Sequence, residues 1–389
     1  MSFTKVVPKK NNNMLYGPRA KCGYDWWWHS LTARNKETGE ERPFFFEYYI
    51  CNPALGKKEP IFGQVPGATI ENPVKPSYVM VKGGTWLPGG FQLHRFFGWK
   101  QDGVKVAKGT PFSVTTPDCY CDDNHIKGKI HISEADAKAH PEWMCDAGDL
   151  EWDLTVKHII PWNVGYGTSQ LFLRLNAFNM YWHGAGMKTE YSGTITADGV
   201  EYVVTPETCY GYADKNFGQD FTTPWLWLSS CNLYSNKKHK QLENSVFDIG
   251  GGAPIVFGIK LDRKLLGAMY YEGKKYEFNF SKLWTFCRTK FNCYETGDEI
   301  IWKVTQKTLK GKIVYDLHCK KEDVLLVNYE APNGIKRHNH LWNGGNGSGH
   351  VKLYRNLFGF LPILIDDMTV RNMGCEYGEY DRLKNTDVD

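Results

Sequence analysis

Residues 212–232 read YADKNFGQDFTTPWLWLSSCN. The tract opens on Asp214, Lys215 and Asn216, polar side chains set between Tyr212 and Phe217, and runs into Trp225-Leu226-Trp227-Leu228. Side chains of an extended chain alternate between two faces, so Trp225 and Trp227 share one. Trp26 and Trp28 do the same near the N-terminus. Such rings either line a cavity or close the end of a barrel.

Outward from this tract the chain reads as short strands bounded by turns. Residues 43–50 (PFFFEYYI) form an aromatic strand on which Phe45, Glu47 and Tyr49 share a face. Leu171–Leu175, Glu201–Val204, Pro254–Ile259, Lys275–Phe280, Glu299–Lys303, Lys312–His318 and Asp323–Tyr329 are further strand candidates. Asp102-Gly103, Asp198-Gly199, Glu272-Gly273 and Asn333-Gly334 supply turn signals between them. One short helix is predicted over Ser133–His140, with Ser133 as N-cap, and a single helical turn over Ser281–Thr285. The fold class is therefore all-β, barrel or sandwich, with very few short helices. The Trp-rich segment gives way to a polar stretch between about Asp220 and Asn244, which suggests two domains, 1–220 and 221–389.

Composition supports that reading and excludes several functions. The 389 residues include 14 Trp, 22 Tyr and 21 Phe, enough to fill a core and also line a pocket. Net charge is +4, with 47 basic and 43 acidic side chains interspersed. The short Lys237-Lys238-His239-Lys240 cluster reads as a solvated loop, so no nucleic-acid partner is expected. No apolar run is long enough to span a membrane, and Ser2–Arg19 lacks a signal-peptide core. With an odd count of 11 Cys, reduced thiols and a cytoplasmic location are expected. Gly250-Gly251-Gly252 lacks the rest of a P-loop, and the glycines of 344–349 precede a strand-like run rather than a helix. Cys119, Cys121 and Cys145 are wrongly spaced for zinc, and His338-x-His340 has no partner pair, so neither metal nor cofactor is expected.

The 212–232 tract resembles the tocopherol cyclase family, whose members carry Tyr-x-Glu/Asp-Lys-Asn/Asp-Trp-Gly, then Phe-Pro, Trp-x-Trp and Asn. Tyr212, Asp214, Lys215, Asn216 and Gly218 match, and Phe221, Pro224, Trp225, Trp227 and Asn232 follow in order. Looser likenesses are Trp26-Trp27-Trp28 leading into Phe44-Phe45-Phe46-Glu47, the strand from His183 to Gly193, and Cys375-Glu376-Tyr377-Gly378-Glu379. The resemblance covers most of the chain loosely and is specific only in the tract. It implies two lipocalin-like β-barrel domains with a ligand cavity. It also implies kinship with carotenoid hydratases, prenylated-isoflavonoid hydratases and fungal pericyclic cyclases. Phe217 in place of Trp, and Thr222-Thr223 before Pro224, leave the substrate open.

The expected activity is a cofactor-independent cyclase or isomerase acting on a bulky hydrophobic molecule (phenolic, prenylated or flavonoid-like) held between the β-domains. Protonating an alkene needs a carboxylic acid kept neutral by burial, and aromatic faces stabilise the resulting cation. Asp214 is the first candidate acid, with Lys215 and Asn216 orienting it. The same residues could instead form a turn tying the domains together. Glu47 faces either the pocket or solvent, and Glu376, beside Tyr377, is a binding or structural residue. His183 and His29, each next to Trp, are a general base or satisfied barrel residues. Trp26, Trp28, Tyr49, Trp225 and Trp227 would shape the cavity. A hydratase adding water to a prenyl double bond is the nearest alternative, and a hydrophobic-ligand carrier the alternative from another class. Oligomeric state is left open.

Overall fold

The computed structural model describes residues 8–164, 174–262 and 264–382. These residues fold almost wholly into antiparallel strands gathered in two large sheets.

The first sheet is built from β1 (Tyr24–Asn35), β2 (Glu41–Cys51), β3 (Tyr78–Thr85) and β4 (Phe91–Phe97). Short strands β5 (Lys105–Val106), β6 (Val114–Thr115) and β7 (Cys119–Cys121) lead to β8 (His125–Ile132) and β9 (Gly148–Trp162). β10 (Met180–Ala197), β11 (Val200–Val204) and β12 (Gly211–Gly218) complete it. Its order is β4-β3-β2-β1-β11-β10-β9-β8-β7-β6-β5. β11 and β12 share the slot between β1 and β10, with β11 pairing at Arg34 and β12 from Ser30 to Tyr24. β4 packs back against β8 and β9, which curls the sheet into a barrel.

The second sheet opens with β13 (Trp225–Ser230), β14 (Asn232–Ser235), β15 (Lys240–Gln241) and β16 (Ser245–Gly252). A separate small hairpin, β17 (Ile255–Val256) and β18 (Ile259–Lys260), precedes β19 (Lys264–Tyr271) and β20 (Lys274–Asn279). β21 (Arg288–Thr296), β22 (Glu299–Lys307), β23 (Gly311–Lys320) and β24 (Val324–Val327) follow. Two long strands, β25 (Lys336–Leu357) and β26 (Leu361–Arg382), end it. The order is β20-β19-β16-β13-β26-β25-β23-β22-β21, a half-barrel across whose mouth buried Gln306 on β22 donates to the carbonyls of Leu265 and Phe278.

The all-β expectation holds. Helix α1 (Glu134–Ala139) forms as predicted, with Ser133 accepting from the Asp136 amide, and Leu283–Thr285 makes one 3-10 turn. Pro254–Ile259 is not one strand: Phe257 and Gly258 take positive φ and fold it into the β17–β18 hairpin. Residues 171–173 of the expected Leu171–Leu175 strand lie outside the described residues, and Leu175 sits in a turn. No described helix is long and apolar enough to cross a membrane.

Three cores follow from the alternation rule. On β2, Phe44, Phe46, Tyr48 and Ile50 point into the first barrel, while Phe45, Tyr49 and Cys51 face the second sheet. On β13, Leu226 and Leu228 enter the second barrel while Trp225 and Trp227 face the first. The aromatic runs of β1 and β2 thus reflect strands buried on both faces. Removing the Phe46 ring, tilted against Trp152 with centroids 4.7 Å apart, should cost about 3–5 kcal/mol in Phe46→Ala, read as a lower urea midpoint.

Candidate active site

The seam between the sheets holds a small chamber. Trp26, Trp28, Met180 and Asp214 wall it from the first sheet, and Trp225, Trp227, Leu341 and Glu376 from the second. Thr222 and Tyr329 complete the lining. Its free volume is about 20 Å³, room for about one water.

Asp214 reaches the chamber because β12 pairs with β1 at Trp28, so the carboxyl and the Trp26 and Trp28 rings share a face. Asp214 Oδ2 accepts from Trp182 Nε1 at 2.8 Å and from the Tyr212 hydroxyl at 3.0 Å. Oδ1 is buried without a hydrogen-bond partner of normal geometry. Burial pushes the carboxyl up to about 7; the Trp182, Tyr212 and Trp26 donors pull it down, and the nearby Glu376 charge adds to the rise.

Behind Asp214 stands Asp248 on β16, a residue not among those expected from the sequence. The Tyr212 hydroxyl lies 3.4 Å from Asp248 Oδ2, and Trp227 Nε1 lies 3.1 Å from both the Tyr212 hydroxyl and Asp248 Oδ1. Burial first, and then the Asp214 charge, hold Asp248 well above the usual carboxylate range. Among the described residues neither carboxyl forms an ion pair. Two carboxylates this close without a cation resist ionising together, so the pair retains protons that isolated carboxyls would lose.

Glu376 faces the chamber from β26. It accepts from Trp225 Nε1 at 2.7 Å and from Asn343, and burial raises it to about 7. Tyr329 donates to Glu47 Oε2 at 2.7 Å, and Lys82 Nζ sits 3.0 Å from the same oxygen and 3.7 Å above the Tyr329 ring centroid. Glu47 therefore points to the seam, behind Tyr329 and not into the chamber. Asn216 shares the Asp214 face but is held by the Tyr24 hydroxyl at 2.7 Å. Tyr49 packs in the seam core and donates to the Glu330 carbonyl at 3.1 Å, outside the chamber lining.

Three expected residues lie on the wrong side of their strands. Lys215, one residue after Asp214, projects into the first barrel, where it pairs with Asp25 and caps the Trp27 ring at 4.2 Å. It cannot orient Asp214. His183 pairs in register with Lys215 and lies buried on that same side, where burial lowers its pKa well below the imidazole range. Tyr377 follows Glu376 and packs against the second-barrel core. His29, hydrogen-bonded to Tyr191 at 2.9 Å and lowered to about 3, is a barrel residue. Asp248, Lys82 and Tyr329 went unread because each comes from a remote strand or loop. Their one sequence signal is a charged or hydroxyl side chain alone in an apolar run, as in Val246-Phe247-Asp248-Ile249.

No family model matches the chain, and no curated protein proves similar to it. Solved structures that align over nearly its whole length do exist. A structure described as an AttH from Nitrosomonas europaea shares 13% identity, covering 96% of this chain and 98% of that one, with a TM-score of 0.46. Kievitone hydratase from Nectria haematococca shares 10% identity over 98% of this chain and 93% of that one, at 0.44. CghA with Sch210972 shares 12% over 94% and 89%, at 0.42. At such identities the chemistry of this chain has to be read from its own side chains.

Two predictions follow from the buried charges. Asp214 keeps its proton up to about 7 when folded but titrates near 3.8 when unfolded, so the folded chain binds more protons between those values. Its share of stability is full at low pH and is lost as the pH rises through about 7. Asp214→Asn should flatten the fall in urea-derived stability between about pH 4 and about pH 7. Lys215→Met strands the fully buried Asp25 and should cost about 3–5 kcal/mol, with Asp25→Leu in the same chain restoring most of it.

Proposed function

We propose that the seam chamber is the active site of an acid-assisted cyclase or hydratase for an unsaturated hydrophobic small molecule. The observation that carries this reading is Asp214: a carboxyl held neutral near pH 7, with one oxygen unpartnered, inside a wall of indoles. The resemblance of the 212–232 tract to tocopherol cyclases points to the same residue.

In this reading Asp214 delivers its proton to one alkene carbon. A C–H bond forms from the π pair, and the other carbon becomes a cation. The faces of Trp26, Trp28, Trp225 and Trp227 stabilise that cation, each by roughly 0.5–2 kcal/mol. A hydroxyl of the same molecule, contacted by Glu376, closes the ring by forming a C–O bond, and its proton returns to the Asp214 carboxylate. Atoms balance without a co-reactant, so the product is an isomer. Geometry that brings the reacting ends together supplies several kcal/mol more, about 7–11 in the best cases. Tyr212 and Asp248 are positioning residues that keep the Asp214 proton in place. The two sheets serve as two domains, 1–220 and 221–389, that close on the substrate.

The free room admits one water, so a ring-bearing substrate enters only when chamber side chains swing aside; Trp26 and Glu376, both half-buried, are the first to move. That room for one water also favours a second reading, in which water attacks the cation and the product gains its mass.

Incubation with prenylated quinols, chalcones and prenylflavonoids, followed by chromatography and mass measurement, tests both. An isomer marks ring closure, and a gain of one water marks hydration. Asp214→Asn should lower turnover about 10²–10⁴-fold with ligand binding retained. Ligands bound and released unchanged across the panel would overturn both in favour of a carrier.

A further inference from the structure

At the far end of β25 and β26 from Leu341 and Glu376, three loops meet: 280–287, 308–310 and 358–360. The Leu309 amide donates to the Thr285 carbonyl at 3.3 Å, the Asn356 amide to the Lys310 carbonyl at 3.0 Å, and the Asn356 side chain to the Thr308 carbonyl at 3.0 Å. These bonds fix the loops as one end surface. That surface is apolar to a degree seen nowhere else on the described chain: Phe358 is 80% exposed, Phe360 78%, Trp284 73% and Phe286 64%. Leu309 and Leu361 are exposed beside them.

Contiguous exposed rings of this kind mark an interaction site. The turn itself supports that inference. Phe358 (φ 55°) and Gly359 (φ 80°) both take positive φ, a two-residue turn in which Asn or Asp normally precedes Gly. A bulky aromatic at that position is strained and solvent-exposed, so the fold gains nothing from it.

Charge identifies the partner. No Asp or Glu occurs in residues 278–294, 300–315 or 331–365, which hold these loops, and Glu277 on β20 is neutralised by its ion pair with Lys282. The same arms carry exposed Arg288, Lys307, Lys310 and Arg355; Arg288 and Lys307 are cross-strand partners, and Arg355 pairs beside Lys310 at Gly311. The rings sit exposed on loops at the strand ends. We infer that this end docks on an anionic lipid surface, with Phe358, Phe360, Trp284 and Phe286 entering the headgroup layer and the flanking cations meeting lipid phosphates and carboxylates. This surface is independent of the chamber chemistry.

The test is co-sedimentation of the full chain with vesicles of phosphatidylcholine alone and of phosphatidylcholine with about one-fifth phosphatidylserine. The chain should bind the anionic vesicles, and binding should weaken when salt is raised to about 0.5 M. Phe358→Asn with Phe360→Ser should lower the partition coefficient roughly tenfold or more. Asn suits the left-handed position, so this variant should melt no lower than the parent. Absence of binding, equal binding to neutral vesicles, or equal binding of the variant would overturn the inference. So would a dimer in sedimentation velocity that the variant dissociates, since the patch would then be covered by a second copy.

Discussion

Buried carboxyl groups govern this structure, and the protein handles them in two different ways. Asp25 and Glu47 each lie beside a buried lysine, Lys215 and Lys82, and each lysine caps an aromatic ring. Asp214, Asp248 and Glu376 have no such cation and are held by indole N–H groups and the Tyr212 hydroxyl. An ion pair opposes the effect of burial on its carboxyl, as Lys215 does for Asp25, and ties the group to the architecture. Neutral donors offset part of the desolvation but supply no charge, so burial wins and the carboxyl stays protonated. What surrounds each group thereby decides its state, and Asp214, Asp248 and Glu376 gather at the seam.

The high aromatic content has the same origin. A sheet with one wet face needs apolar side chains at every second position. Here β1, β2, β12 and β13 have no wet face, because each separates the interior of its own sheet from the seam. Trp27 packs in the first barrel while Trp26 and Trp28 look outward to the second. Rings with an N–H or O–H at the edge suit such a position, since they fill volume and satisfy a buried acceptor together. Trp182, Trp225 and Trp227 each do both.

That double burial explains what could be read from the sequence and what could not. Strand existence was legible from turn residues and β-rich runs, and α1 from its Ser133 cap. The pairing of Trp225 with Trp227 on one face was legible as well, because a period of two needs no partner to be known. The direction of that face was not. In Phe44-Phe45-Phe46 both faces are equally apolar, so alternation sorts the residues into two sets without saying which set meets the seam. Lys215, His183 and Tyr377 were misplaced for this reason: each neighbours a true seam residue and therefore points away from it. Asp248 and Lys82 were illegible for another reason. Each sits alone in its strand, and its meaning comes from a partner contributed by a distant part of the chain.

The smallness of the chamber is part of the same design. Burial among Trp26, Trp28, Trp225 and Trp227 shifts Asp214 toward its protonated form, and those rings also fill most of the space a substrate would need. A chamber that stood open would hydrate the carboxyl, restore its ordinary acidity and lose the neutral acid. In the proposed reaction a hydrophobic substrate that displaces the rings would replace one apolar wall with another, so the proton would be retained while the reactant is admitted. A polar ligand of equal size would bring water or its own dipoles and would discharge the acid before any bond formed. In the proposed reaction, selectivity for apolar, unsaturated molecules would follow from the electrostatics of one carboxyl, without a contact that recognises any particular ring.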